Sequence, residues 1–218
     1  LTSDVKPFDE LVFHDSPDTE IFSALYEFGG FPEPLIKQNH RFLRRWQNER
    51  TERLFKEDLQ VNFRTVANWL DTFELFYYCF RIPPYQSKKI ASVRKEKKLY
   101  LWDWSVIEEE GKKLENLVAS HLLKYCDYLY SYEGYKVSLS FLRDSTGREV
   151  DFLIFCDNKP WFSVEVKNND SSISKNLYYF KNKLSIPYNY QVVKKCRNER
   201  MHKGIRVMPA NKFLTAFI

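Results

Sequence analysis

The chain has little of what several classes of protein require. Its 218 residues include 6 glycines, 4 cysteines, 4 histidines and 2 methionines. So few glycines exclude a collagen-like repeat or a flexible Gly-rich linker. With 44% hydrophobic and 17% aromatic residues, the chain holds too much apolar material to stay disordered. No apolar run approaches the length of about eighteen residues that a membrane span needs. The stretch from Leu1 to Asp9 lacks the basic start and apolar run of a signal peptide. Neither membrane insertion nor secretion is expected, and the expected compartment is the cytoplasm. Cys79, Cys126, Cys156 and Cys196 are scattered, with no CxxC spacing and no histidine at ligand spacing, so they read as reduced thiols rather than a zinc site or a disulfide framework. No G-x-x-x-x-G-K-[ST] or G-x-G-x-x-G segment is present to cradle a nucleotide phosphate, so no ATP site is expected. Beginning at Leu1, the chain reads as part of a longer protein.

What is present is a large apolar fraction and an uneven distribution of charge. Lys and Arg total 34 against 29 Asp and Glu, a net charge of +5. The first 34 residues are acidic, with Lys6 their only base. Two basic runs follow: one contains Arg81, Lys88, Lys89, Arg94, Lys95, Lys97 and Lys98, and the other Lys194, Lys195, Arg197, Arg200, Lys203 and Arg206. Paired basic runs suit a phosphate backbone, and the alternative is a solvated surface. Of these residues, Lys88, Lys89, Arg94, Lys95, Lys97, Lys98, Lys194, Lys195 and Arg197 are the candidate nucleic-acid contacts.

Apolar spacing predicts helices over residues 19–28, 40–59, 65–80, 112–128 and 174–184, with Gly29 to Pro34 as a breaker. Residues 136–142, 149–155, 161–167, 189–193 and 205–208 read as strands separated by turn-formers. His121 falls on the apolar stripe of its helix, as a core histidine would. Trp102 and Trp104 could stack on bases, although alternating aromatics are more often core, and Asp103 is placed to cap the helix that follows.

The expected chemistry lies on two adjacent strands. Asp151 opens one apolar strand; Glu165 and Lys167 interrupt the next, two residues apart and therefore on one face. In a hairpin centred on Asn158, Asp151 lies opposite Glu165. Two carboxylates so close repel unless one holds a proton or a divalent cation sits between them. Lys167 on the same face could steady an attacking water or a phosphoryl charge, and Glu115 could supply a third carboxylate. The alternative is an ion pair at the surface, in which Lys167 neutralises an acid.

Asp151, the hairpin, Glu165-Val166-Lys167 and Glu115 on a preceding helix resemble the PD-(D/E)XK nuclease signature. More widely, Gly29-Gly30-Phe31-Pro32-Glu33-Pro34, Arg81-Ile82-Pro83-Pro84-Tyr85, residues 98–104, Leu114-Glu115-Asn116-Leu117-Val118 and Arg148-Glu149-Val150-Asp151-Phe152 resemble the C-terminal part of prokaryotic AAA-superfamily ATPases. The resemblance implies an α/β, restriction-endonuclease-like mixed sheet flanked by helices and preceded by a helical region. It divides the chain into a helical segment at 1–60 that follows an ATPase module, a partial winged helix with a basic loop at 61–98, and a nuclease-like domain at 99–218. Relative to the family, the region from Arg53 to Val66 looks shortened. The resemblance also implies a catalytic set of Glu115, Asp151, Glu165 and Lys167, with Asp151, Glu165 and Glu115 holding Mg²⁺ or Mn²⁺, and DNA as the substrate. Gln191, on the strand after the next helix, is a weaker candidate. The alternative within the same family is a non-catalytic DNA- or protein-binding regulatory module; in either case the upstream ATPase is a partner.

Overall fold

The computed structural model describes residues 6–15, 17–54, 63–87, 90, 96–169, 172–196 and 198–217. Its N-terminal region is helical. Helix α1 (Thr19–Phe28) starts where the Asp18 carboxylate accepts from Ile21 N at 2.8 Å, and ends at Gly29, whose φ of 82° suits a residue without Cβ. The expected breaker holds a short helix, α2 (Pro32–Lys37), because Pro32 occupies a first-turn position that needs no amide donor. Helix α3 (His40–Leu54) follows, and of the region from Arg53 to Val66 that is expected to be shortened, residues 55–62 lie outside the described residues.

Helix α4 (Phe63–Leu75) stops before the expected 80. Tyr77 adopts a φ of 53°, and Cys79–Ile82 forms strand β1, antiparallel to β2 (Lys98–Leu101). Cross-strand pairing outweighs the local helical spacing of Tyr77 and Phe80. A 3-10 turn at Trp104–Val106 is capped by Asp103, which accepts from Ser105 N at 3.1 Å, as expected.

Helix α5 (Glu110–Ser131) leads into the main sheet: β3 (Val137–Arg143), β4 (Glu149–Cys156), β5 (Lys159–Lys167), helix α6 (Lys175–Leu184), β6 (Tyr188–Val193), β7 (Arg200–His202), β8 (Ile205–Pro209) and helix α7 (Ala210–Leu214). The strand order is β3-β4-β5-β6-β8-β7, with β5-β6 and β6-β8 parallel and the other pairs antiparallel. This is a mixed α/β architecture with helices on both faces of the sheet. On one face, Leu114, Leu117, Val118 and Leu122 of α5 pack with Phe152, Ile154, Phe162, Val164 and Phe213. On the other, Leu177, Phe180 and Leu184 of α6 pack with Leu142, Val150, Leu153 and Ile205. Burial of each such side chain stabilises the fold by about 1.5–3 kcal/mol.

The β4–β5 hairpin closes through Asp157 and Asn158, with φ of 47° and 63°, the two left-handed residues that a tight hairpin turn of matching twist requires. Strand β7, which sequence periodicity missed, is held by a similar turn at Lys203 and Gly204. Among the described residues no helix is long and apolar enough to cross a membrane. Cys79, Cys126, Cys156 and Cys196 form no disulfide among the described residues.

Candidate functional site

The hairpin register sets the site. Phe152 pairs with Val164, Leu153 with Ser163 and Ile154 with Phe162, and the same register brings Asp151 level with Glu165. One oxygen of Asp151 accepts from Val166 N at 2.9 Å, so its carboxylate lies across the mouth of β5 between Glu165 and Lys167. Lys167 Nζ is 2.7 Å from Glu165 Oε1. The other oxygen of Asp151 lies 3.3 Å from Lys98 Nζ, which also stands 3.2 Å from Glu115 Oε1. The four residues singled out in the sequence, Glu115, Asp151, Glu165 and Lys167, thus meet at one corner of the sheet.

The corner is largely shielded from water. The Asp151 side chain is 16% exposed, Glu165 5% and Lys98 17%, while Lys167 at 40% is the most accessible. Burial, with the charges of Glu115 and Glu165 added, pushes Asp151 up to about 7 against the partial relief supplied by Lys98. Burial alone would lower the Lys98 ammonium, but Asp151, Glu115 and Glu149 together hold it well above the ordinary lysine range. Lys167 is raised as well: burial opposes its charge, and the bond to Glu165 together with the charges of Glu165, Asp151 and Glu115 outweighs that. One atom has no such compensation. Glu165 Oε2 is buried without a hydrogen-bond partner among the described residues.

Sequence reasoning missed part of this corner. Glu149 Oε1 lies 2.7 Å from Lys98 Nζ, and its other oxygen accepts from Arg143 Nε at 2.5 Å. Tyr100 donates its hydroxyl to Glu115 Oε1 at 2.7 Å. The buried Asn116 carboxamide accepts from Leu101 N at 2.8 Å and donates to Leu101 O at 2.5 Å, completing β2 as a neighbouring strand would. That clamp fixes Lys98 and Tyr100 against α5. The signal was the alternation Lys98, Tyr100 beside Glu149, Asp151: each pair lies two residues apart on a strand and so shares a face.

The candidate basic contacts divide into several groups. Lys88, Lys89, Arg94, Lys95 and Arg197 lie outside the described residues. Lys97 and Lys195 are exposed. Lys98 sits inside the carboxylate corner rather than on the basic surface. Lys194 is ion-paired with Glu110 and lies 4.3 Å from the centre of the Tyr26 ring. Gln191 is level with Glu165 on β6, but its carboxamide accepts from Ser174 N at 2.8 Å and so braces the start of α6.

The oxygen-rich donor set suits a hard cation. Among the described residues, however, no group of three His, Cys, Asp or Glu side chains stands close enough together to hold a metal ion, because the acids are spread around ammonium groups. A separate cavity of about 540 Å³ is lined by Phe31, Tyr77, Trp102, Trp104, His121, Lys124 and Asp127 among others. There the His121 Nδ1 lies 2.9 Å from Leu117 O, and burial pulls the imidazole down to about 4, so it is neutral. Trp104 is anchored by its indole N–H on Leu25 O at 3.0 Å.

Comparison with curated proteins and with solved structures finds no match. Residues 110–213, a little under half of the chain, match the family model of DUF4143, a domain of unknown function, and residues 52–109 match that of DUF8612, also a domain of unknown function. The segment similar to DUF4143 holds the acids of the corner, and the segment similar to DUF8612 contributes Lys98 and Tyr100 to it.

Proposed function

We propose that this chain is the nuclease-like part of an AAA-type ATPase, hydrolysing phosphodiester bonds with DNA as its substrate, and that Asp151 and Glu165 hold a Mg²⁺ or Mn²⁺ ion with Glu115 in support. The observation that carries this reading is the buried Glu165 Oε2, without a hydrogen-bond partner among the described residues, beside an Asp151 whose proton affinity is raised by burial and by neighbouring acids. Native folds rarely leave such an oxygen orphaned, and perturbed acids gather at functional sites. The restriction-endonuclease-like element order, α5-β3-β4-β5-α6-β6, agrees with the resemblance noted in the sequence. A divalent ion bound there would polarise the phosphodiester and lower the pKa of a bound water.

The chain's own residues have separable tasks. Asp151 is oriented by the Val166 amide, which fixes the direction of its carboxylate. Lys167, the most exposed charge in the corner, is placed to sit beside an incoming phosphate while Glu165 holds its ammonium at 2.7 Å. Tyr100 orients Glu115 by donating to it. The exposed Lys97 and Lys195 would add backbone attraction.

Cleavage of single- and double-stranded DNA in Mg²⁺ or Mn²⁺ should be lost in both Asp151→Asn and Lys167→Ala, with circular dichroism unchanged. Equal cleavage by both variants and the native chain overturns the reading. One observation favours a second reading. Lys98 already pairs with three of the acids, as it would in a non-catalytic DNA- or protein-binding regulatory module of the same ATPase family. That module would bind DNA in a salt-dependent way without metal and leave the strand intact.

A further inference from the structure

We infer that the Lys98 ammonium is a built-in cation occupying the metal position of the carboxylate corner, so that divalent-metal loading is governed by the β1–β2 hairpin that carries it. This deepens the metal-site reading above and rests on it. Three carboxylates converge on one nitrogen: Glu149 at 2.7 Å, Glu115 at 3.2 Å and Asp151 at 3.3 Å. Converging oxygens of this kind are what a hard cation demands, except that oxygens around Mg²⁺ stand at about 2.0–2.1 Å. Held at ammonium distance, the acids are too far apart to close on a metal, in keeping with the lack of any metal-ready trio among the described residues.

Charge balance points the same way. Glu115, Glu149, Asp151 and Glu165 are four acids, and Arg143 and Lys167 each pair with one of them. Without Lys98, two negative charges are left uncompensated in a shielded corner, the deficit that one divalent ion removes. Lys98 removes half of it and fills the space. The remainder concentrates around Asp151 and the orphaned Glu165 oxygen.

Placement makes Lys98 a control rather than a fixed strut. The acids stand on α5, β4 and β5, whereas Lys98 belongs to the two-stranded β1–β2 sheet, which is separate from the six-stranded one. What keeps it in place is the Asn116 clamp on Leu101, the Tyr100 bond to Glu115, the pairing of Lys98 with Ile82 and, just past β1, the backbone bonds that tie Pro83 and Tyr85 to Phe141 of β3. A shift of this hairpin withdraws the ammonium and leaves the acids free to close on a metal.

The test is Mn²⁺ titration by calorimetry on the native chain, Lys98→Met and Lys98→Arg, with folding checked by circular dichroism. Lys98→Met keeps the length of the side chain and removes its charge. It should bind Mn²⁺ at least about tenfold more tightly than the native chain, or bind an additional ion, while Lys98→Arg behaves as native. Tighter binding in Lys98→Met when the native chain binds nothing upholds the inference and defeats the metal-dependent reading of the native protein. Equal binding by the native chain and Lys98→Met overturns the inference and leaves that reading standing. Absence of binding in both defeats both.

Should Lys98→Met fail to fold, the native chain alone decides by NMR of its lysine ammonium groups. The ion-paired Lys98 ammonium should exchange slowly and lose that protection when Mg²⁺ is added. A signal unchanged at saturating Mg²⁺ overturns the inference.

Discussion

Helix α5 faces two polar interiors that solve the same problem in opposite ways. At one end, Glu115 joins Asp151, Glu149 and Glu165 in a corner that keeps its charges and brings cations to them. Six residues on, His121 faces the aromatic cavity, where burial strips its proton and leaves the ring neutral. The cavity takes the cheaper solution, since a neutral imidazole with one bond to a carbonyl costs little. The corner takes the costly one, because four acids lie where apolar residues of similar size would pack without penalty. That costly arrangement is the reason the proposed function is placed at the corner.

The largest expected effect comes from removing what joins the two interiors. Asn116→Ala strips both hydrogen bonds from the Leu101 backbone, which carries Lys98 and Tyr100 on one side and Trp102 on the other. Two buried backbone groups then go unpaired, and stability should fall by about 2–5 kcal/mol in urea unfolding. A loss below about 1 kcal/mol would mean that β2 is held by its pairing with β1 alone.

The two interiors should also respond to pH with opposite sign. His121 titrates near 6.5 when unfolded and near 4 when folded, so between those values the unfolded chain binds more protons and stability is lost as pH falls. The size of this arm is on the order of 3 kcal/mol. Asp151 is raised from 3.8 to about 7, so in that range the folded chain binds more protons and stability is lost as pH rises. The two slopes oppose each other in the native chain. His121→Phe should leave a melting temperature that falls as pH rises from 4 toward 7, and Asp151→Asn one that falls as pH drops from 6.5 toward 4. Parallel pH profiles in the two variants would break the comparison.

The smallest effect concerns the cavity wall. A Cβ on Gly30 would lie 2.6 Å from the Trp104 ring, so Gly30→Ala should displace the indole and cost about 1–3 kcal/mol. Thermal unfolding measures the cost, and indole fluorescence shows whether Trp104 moved, with metal binding at the corner expected to stay the same.

Much of this arrangement was legible in advance, for local reasons. Centring the hairpin on Asn158 gives the pairing of Asp151 with Glu165; the Asp157-Asn158 turn alone would set Asp151 against Val164, and the bulge between Ile154 and Phe155 shifts β4 by one residue to that pairing, while period-2 alternation puts Glu165 and Lys167 on one face. Helix α5 and helix α6 follow from apolar spacing, and each was anticipated to within a few residues. What was not legible depends on partners distant in sequence. Residues 76–80 carry helical spacing, yet Phe80 joins a strand because Tyr100 pairs with it. Lys98 looks like one of a run of bases, and only the alternation of β2, clamped by Asn116, turns it inward while Lys97 stays exposed. Glu149 was passed over as a charge at a strand end, and its role emerges once Lys98 is seen to reach it.

The most direct test of the account is calorimetric titration of Mg²⁺ and Mn²⁺ into the native chain and into an Asp151→Asn, Glu165→Gln double variant, with DNA present and absent. The account predicts a metal-binding isotherm in the native chain that disappears in the double variant while the fold is retained. Binding that persists in the double variant, or no binding to the native chain even with DNA present, would contradict it.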